Sequence, residues 1–86
     1  MASVEEVKAG LAQAADETGQ GITGIRGVAD MFDRAITRMR AVLAGSSAAQ
    51  VSQAIAQLEQ AKARLAESAQ LASGSIASAR EYAARI

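Results

Sequence analysis

The stretch Ala44-Gly45-Ser46-Ser47 lies near the middle of the 86-residue chain and carries the clearest helix-ending signal in a sequence without proline. Gly45 suits the left-handed backbone position that commonly follows the last turn of a helix. Ser47 and Gln50 form an S-x-x-Q capping box, which would begin a second helix directly afterwards. The stretch therefore predicts a tight turn at about 44–47 between two halves of similar length.

The half that precedes this turn has the periodicity of one long helix. Ser3 and Glu6 form an S-x-x-E capping box at its start, with Glu5 also placed to favour the helix dipole. Small and apolar residues then recur every seven positions in three parallel lines, which is an a/d/e stripe typical of a bundle-facing helix. The lines are Val4, Leu11, Thr18, Ile25, Phe32 and Met39; Val7, Ala14, Gly21, Val28, Ala35 and Val42; and Ala15, Ile22, Ala29, Ile36 and Leu43. We expect a helix at about 3–44.

The second half repeats the pattern, with Lys62 interrupting one of its lines. Those lines are Val51, Leu58, Leu65, Ala72, Ala79 and Ile86, and Ile55, Ala69, Ile76 and Ala83. They predict a helix at about 47–84, and two equal helices joined by a short turn lie antiparallel. The fold class is therefore all-α, an antiparallel two-helix hairpin formed by residues 1–86 as a single domain. One uninterrupted helical rod is the alternative if Gly45 is tolerated within a helix.

The predicted core is thin, because 22 of the 86 residues are alanine. A small hairpin with one alanine-rich seam buries little apolar surface, so we expect it to pair into a four-helix bundle or a larger oligomer, or to bind a similar helical partner. The residues expected in the core are Leu11, Ile25, Ile36, Ile55, Leu58, Leu65 and Ile76. Phe32 and Met39 are expected in the seam and at the interface with another chain.

A glycine belt, Gly19, Gly21, Gly24 and Gly27, lies inside the first predicted helix. Each glycine costs about 0.8–1 kcal/mol relative to alanine in a helix interior, so some contact must offset the loss or the helix is weakened here. Our preferred interpretation is an interface formed by Gly21, Gly24, Gly27 and Gly74, in which backbones approach closely, facing about residues 65–73. A kink or hinge and a non-helical insert remain the alternatives.

The composition argues against catalysis and cofactor binding. The chain has no cysteine and no histidine, which excludes the usual zinc, haem and iron–sulfur ligands and the usual general base. We therefore expect no catalytic, cofactor-binding or metal-binding residues and no small-molecule substrate. Gly19 to Gly24 match G-x-G-x-x-G, but a nucleotide-binding loop needs a preceding strand, and the preceding residues are helical in pattern.

Charge and hydropathy argue against nucleic-acid and membrane partners. The net charge is +0, and no apolar run approaches the ~18 residues of a membrane span or resembles a signal peptide. Arg34, Arg38 and Arg40 cluster near the predicted tip, where Asp30 and Asp33 are placed to pair with them and the helix dipole favours cations. We interpret the cluster as a solvated surface, and we expect no nucleic acid and no transmembrane segment.

Three features together resemble the small helical hairpins of the WxG type, which ESX (type VII) systems export. They are a first helix that begins with acidic residues, the Gly45-Ser46 tip near the midpoint, and Tyr82 near the end. The tip reads Leu43-Ala44-Gly45-Ser46 rather than W-x-G, and Tyr82 is followed four residues later by Ile86 rather than an acid. Ser3-Val4-Glu5-Glu6-Val7 and the ending Glu81–Ile86 are also similar to short actinobacterial hairpin proteins. The resemblance covers the whole chain and brings no active site.

The resemblance implies a non-enzymatic, type VII-associated hairpin, exported or serving as the helical partner of a larger exported protein. The alternative is a cytoplasmic structural or scaffold protein that self-assembles through its glycine and serine belt. Localisation is accordingly cytoplasmic or secreted by a route that needs no signal peptide.

Overall fold

A computed structural model describes residues 2–45 and 48–86 and confirms the all-α hairpin. Helix α1 spans Val4–Ala44 (41 residues) and helix α2 spans Ala49–Arg85 (37 residues). The two helices lie side by side and antiparallel in a body of 63 × 18 × 14 Å. A single rod of this chain would be about 130 Å long at 1.5 Å per residue, so the rod is excluded.

The start of α1 agrees with its predicted cap, whereas the tip differs from the prediction. The Glu6 backbone N–H donates to the Ser3 hydroxyl at 3.1 Å. Gly45 does not adopt the expected left-handed conformation: its φ is −97°, and its N–H donates to the Val42 carbonyl at 3.1 Å. This bond ends the helix with a tighter turn that does not require positive φ.

Helix α2 begins without a side-chain cap in the described residues. Ala48 is the N-cap residue, and its carbonyl accepts hydrogen bonds from the Val51 and Ser52 backbone N–H groups at 3.1 and 3.4 Å. The predicted capping box needs Ser47, which lies outside the described residues together with Met1 and Ser46. Arg85 occupies the last turn of α2, where a cation favours the helix dipole.

The core is a seam between the two helices in which residues alternate at spacings of four and three. This spacing is the two-position repeat of a coiled coil. All members are buried or half-buried, and Ile36 is the most buried at 2% exposure. In α1 they are Leu11, Ala15, Thr18, Ile22, Ile25, Ala29, Phe32, Ile36, Met39 and Leu43; in α2 they are Val51, Ile55, Leu58, Lys62, Leu65, Ala69, Ala72, Ile76, Ala79 and Ala83.

The seam is narrower than the predicted three-line stripe. The line from Val7 to Val42 lies beside the seam, and its members are exposed or half-buried. The buried residues are Ala15, Ile22, Ile36 and Ile55, so the deepest line of α1 is the one that starts at Ala15. Of the residues expected in the core, Ile36 and Ile55 are buried, whereas Leu11, Ile25, Leu58, Leu65 and Ile76 are half-buried in the seam.

Candidate interaction surface

One side of the hairpin, which we call the polar flank, carries the ion pairs that join the two helices. Its residues follow the Leu11 and Val51 lines of the seam by one position. Arg40 donates to Glu59 at 2.9 Å, and the Lys62 ammonium pairs with Asp33 and lies 4.0 Å from Glu59. The hydrogen bond that Lys62 donates to Asp33 raises the pKa of Lys62 above its ordinary value of 10.5. These pairs fix which residues of α1 and α2 lie opposite each other.

The opposite side, which we call the charge-free flank, is formed by one line of residues from each helix, and these two lines contain no charged side chain within the described residues. Its residues precede the Ala15 and Ile55 lines of the seam by one position and therefore lie on the other side of it. They are small or apolar apart from two serines, although 21% of the chain is charged. They are Val7, Ala14, Gly21, Val28, Ala35 and Val42 from α1, and Ala54, Ala61, Ser68, Ser75 and Tyr82 from α2.

The large apolar residues of this flank are open to solvent. Val28, Val42 and Tyr82 expose 39%, 57% and 49% of their surface. Met31 and Leu71 lie at its outer edges and expose 64% and 79%. Exposed apolar residues that share one charge-free flank mark an interaction site more often than singly scattered ones do.

The flank deepens near the turn into a groove of about 480 Å³, which we call the tip groove. Both helices contribute to it, and its walls are apolar with one arginine and one glutamine at the rim. Its lining residues are Ala35, Arg38, Met39, Val42, Gln50, Val51 and Ala54. Phe32 and Met39, which were expected at an interface, are half-buried in the seam, and Met39 also forms part of the groove wall.

The glycine belt is helical, so the non-helical insert is excluded. The Thr18 and Thr23 hydroxyls donate to the Ala14 and Gly19 carbonyls at 2.8 and 3.2 Å, which satisfies both hydroxyls within the helix. The expected close contact with residues 65–73 is absent from the hairpin: an added Cβ would meet no atom within 4 Å at any of the belt glycines or at Gly74.

The belt glycines also occupy different surfaces. Gly21 belongs to the charge-free flank rather than to the seam, and Gly24 lies at the outer edge of that flank, in the same line as Met31. Gly27 and Gly74 lie on the outer faces of their helices, away from the seam. Any interface formed by these residues therefore requires another chain.

The arginine cluster differs from its predicted arrangement. Arg40 reaches across to Glu59 instead of pairing within α1, and Asp33 binds Lys62. No ion pair joins Asp30 to Arg34 in the part of the chain that the structure describes, and the last turn of α1 holds no basic residue. The ion pairs of this region therefore join the two helices rather than neighbouring turns of α1.

Within residues 2–45 and 48–86, no group of three acidic side chains is placed to hold a metal ion. Neither α1 nor α2 contains an apolar stretch that would span a bilayer. Comparisons of the chain with protein-family models, with curated proteins and with solved structures find no match.

The sequence pattern placed the Val7–Val42 line in the bundle-facing stripe and gave Tyr82 no place in either stripe. The signal that would have separated this line from the seam is its small side chains, since Gly21, Ala14 and Ala35 contribute little to a core. The line in α2 from Ala54 to Tyr82 also lacks charge in the sequence. This pattern becomes informative only once the structure shows that the line lies on the same side of the hairpin as the Val7–Val42 line.

Proposed function

We propose that this protein is a non-enzymatic helical interaction module that acts by packing its charge-free flank against another helical chain. The observation that carries the proposal is the absence of charge along this flank, from Val7 to Val42 and from Ala54 to Tyr82. Ion pairs occupy the polar flank, where Arg40 meets Glu59. A surface from which charge is excluded on one side only is suited to burial against a partner.

The exposed area of the hairpin supports the same proposal. The chain exposes 6313 Å². A compact monomer of 8.8 kDa would expose about 4,800 Å², which leaves an excess of about 1,500 Å². An excess of this size on one chain is about twice the roughly 800 Å² that each partner contributes to a standard protein–protein interface.

The interaction is tested with a matched pair of variants. Val28→Glu places a charge at the middle of the charge-free flank. Ala66→Glu places the same charge at nearly the same height on the polar flank, where it is equally exposed. With tagged protein expressed in the host that encodes it, we expect V28E to lose its bound helical partner and A66E to retain it. Equal binding by both variants would contradict the proposal.

We further propose that the module is associated with type VII secretion, either exported itself or bound to a larger exported protein. Two helices of nearly equal length, joined near the chain midpoint, support this setting because they match the architecture of WxG-type hairpins. The test separates culture supernatant from cells and measures the protein in both, with and without the secretion ATPase. Retention in cells under both conditions, without binding to an exported protein, would refute it.

The second candidate is a cytoplasmic scaffold that self-assembles through its glycine and serine residues. The open space around Gly21, Gly24, Gly27 and Gly74 favours it, because a second backbone can approach closely at each position. This function predicts filaments or large oligomers whose length increases with protein concentration. Light scattering and electron microscopy of the purified protein distinguish such assemblies from a discrete complex.

A further inference from the structure

We propose that the partner of the charge-free flank is a second copy of this chain. The two hairpins would pack antiparallel about a two-fold axis that crosses the flank at Val28, and Tyr82 of each copy would enter the tip groove of the other. The inference rests on the proposed function, because it names the occupant of the same surface. It follows from three features of the described residues: the heights of Tyr82 and the groove, the charges at the edge of the flank, and the position of Gly24.

The ion pair between Lys62 and Asp33 gives the height of Tyr82 along the hairpin. Lys62 lies opposite Asp33. Tyr82 follows Lys62 by twenty residues, so it lies level with Gln13, which precedes Asp33 by twenty residues. Tyr82 is therefore near the open end of the hairpin, far from the turn, with about half of its surface exposed on the charge-free flank.

A two-fold axis at Val28 brings this tyrosine to the tip groove of the other copy. Gln13, which is level with Tyr82, precedes Val28 by fifteen residues. A two-fold rotation about an axis that passes Val28 at right angles to the helices places Tyr82 of one copy at the height of Leu43 of the other. Leu43 follows Val28 by fifteen residues. Leu43 is at the height of the tip groove, whose wall includes the adjacent Val42. The exposed aromatic ring and the apolar groove thus lie at equal distances from the centre of the flank, on opposite sides of it.

The edge of the flank is self-complementary about the same axis. Glu17 and Arg38 lie in one line along this edge, eleven residues before and ten residues after Val28, so each would face the opposite charge on the second copy. Gly24 and Met31 are likewise four residues before and three after Val28. The exposed Met31 side chain would then pack over a glycine at which an added Cβ meets no atom within 4 Å.

The other two-fold arrangement of the same faces leaves the edge charges unmatched. An axis parallel to the helices keeps every residue at its own height and packs α1 of one copy on α2 of the other. Leu71 would then lie over Gly24 and Met31 over Arg64, whereas about the Val28 axis Met31 lies over Gly24 and Leu71 over Arg64, so these contacts do not distinguish the two arrangements. Tyr82 would lie on Ala14 instead of in the groove, and the charges of Glu17 would find no basic counterpart at their height. The antiparallel arrangement about Val28 is therefore the one the residues favour.

The dimensions of the flank are sufficient for a stable dimer. The hairpin is 63 Å long and 18 Å wide. A contact over this face would cover about 1,000 Å² on each copy, which exceeds the roughly 800 Å² per partner of a standard interface. The inner lines of the flank carry no charge, Glu17 and Arg38 at its edge pair across the axis, and Arg64, in the same line as Leu71, must stay at the solvent-exposed rim of the contact.

Disulfide cross-linking tests the axis directly, because the chain contains no cysteine of its own. Val28→Cys places one thiol of each copy next to the axis. Ala66→Cys places a thiol at nearly the same height on the polar flank and serves as the matched control. Under mild oxidation at micromolar concentration, we expect V28C to become a covalent dimer of twice 8.8 kDa within minutes. We expect A66C to form the covalent dimer at least ten-fold more slowly.

A charge-swap cycle measured by analytical ultracentrifugation tests the register. We expect Glu17→Arg and Arg38→Glu each to raise the dimer dissociation constant about 3- to 10-fold, and the double variant to return it to within about 2-fold of the original. Tyr82→Ala should raise it at least 10-fold, while Gln60→Ala, on the outer face of α2, should change it less than 3-fold. Circular dichroism of each variant verifies that the hairpin is retained.

The possible results separate this inference from the proposed function. A wild-type chain that stays monomeric at 100 µM, with V28C cross-linking in the host only to a different protein, would overturn the homodimer and leave the interaction module in place. Equal cross-linking of V28C and A66C, or a double variant that is no tighter than the single ones, would overturn this interface. A monomer in which V28C cross-links to nothing in the host would overturn both.

Discussion

Truncation of Ile36 tests whether the seam between α1 and α2 supplies the stability of the hairpin. Ile36 is the most buried side chain, at 2% exposure, and lies in the deepest line of the seam. Ile36→Ala removes three carbon atoms, which at about 0.8 kcal/mol for each buried methylene amounts to about 2.4 kcal/mol. A residual cavity adds to this cost, although the two open flanks allow partial collapse. We expect a total loss of about 3 kcal/mol.

The assay is urea unfolding followed by the helical circular dichroism signal, at several protein concentrations because association would add to the apparent stability. Ile36→Val, which removes one carbon, should cost about 1 kcal/mol and gives a graded result if the alanine variant does not fold. Leu71→Ala is the control: its side chain is 79% exposed and should cost under about 0.5 kcal/mol. The reasoning would be refuted by Ile36→Ala and Leu71→Ala lowering the free energy of unfolding equally.

Four further predictions address the cap, the seam and the glycine belt. Ser3→Ala should lower the unfolding free energy by about 1 kcal/mol, because it removes the acceptor of the first helical turn, and amide exchange should increase there first. Phe32→Ala should cost about 2 kcal/mol in urea unfolding, less than a fully buried phenylalanine, because this ring is half-buried. Lys62→Leu should raise the thermal midpoint, because leucine fills a half-buried seam position, and should remove the contribution of Lys62 to alkaline destabilisation: its pKa is raised in the folded state, so this contribution is fully present below 10.5 and is lost as pH rises through the raised pKa. Gly24→Ala and Gly27→Ala should both raise helix stability by up to about 1 kcal/mol, but only Gly24→Ala should weaken the dimer in sedimentation experiments.

Periodicity predicted the helices well because a seven-residue repeat is a property of the chain itself. The strong cap at Ser3 and the regular recurrence of Ile22 and Ile36 required no knowledge of the partner helix. The conformation of Gly45 was not predictable in the same way. A helix can end in a left-handed residue or in a tighter hydrogen bond to the preceding turn, and glycine permits both.

The width of the seam depended on tertiary contacts that the sequence pattern does not specify. Three adjacent lines of small or apolar residues were visible in α1, but an antiparallel helix pair has room for only two between its axes. Lys62 selected the arrangement: its ammonium reaches Asp33 on one flank, so the line from Val7 to Val42 is turned to the opposite flank. A polar residue at a seam position commonly determines register at some cost in stability.

The same geometry separates the glycines of the predicted interface. The sequence predicts that Gly21, Gly24 and Gly27 sweep from the seam toward the outside, because a step of three residues turns the helix by about 300°. Only Gly21 and Gly24 therefore border the charge-free flank, and Gly27 lies behind it. In an isolated hairpin all three weaken the helix alike. The difference between them exists only if a second chain packs on one side, so a loss of association in Gly24→Ala that is absent from Gly27→Ala would locate that chain without any further structure.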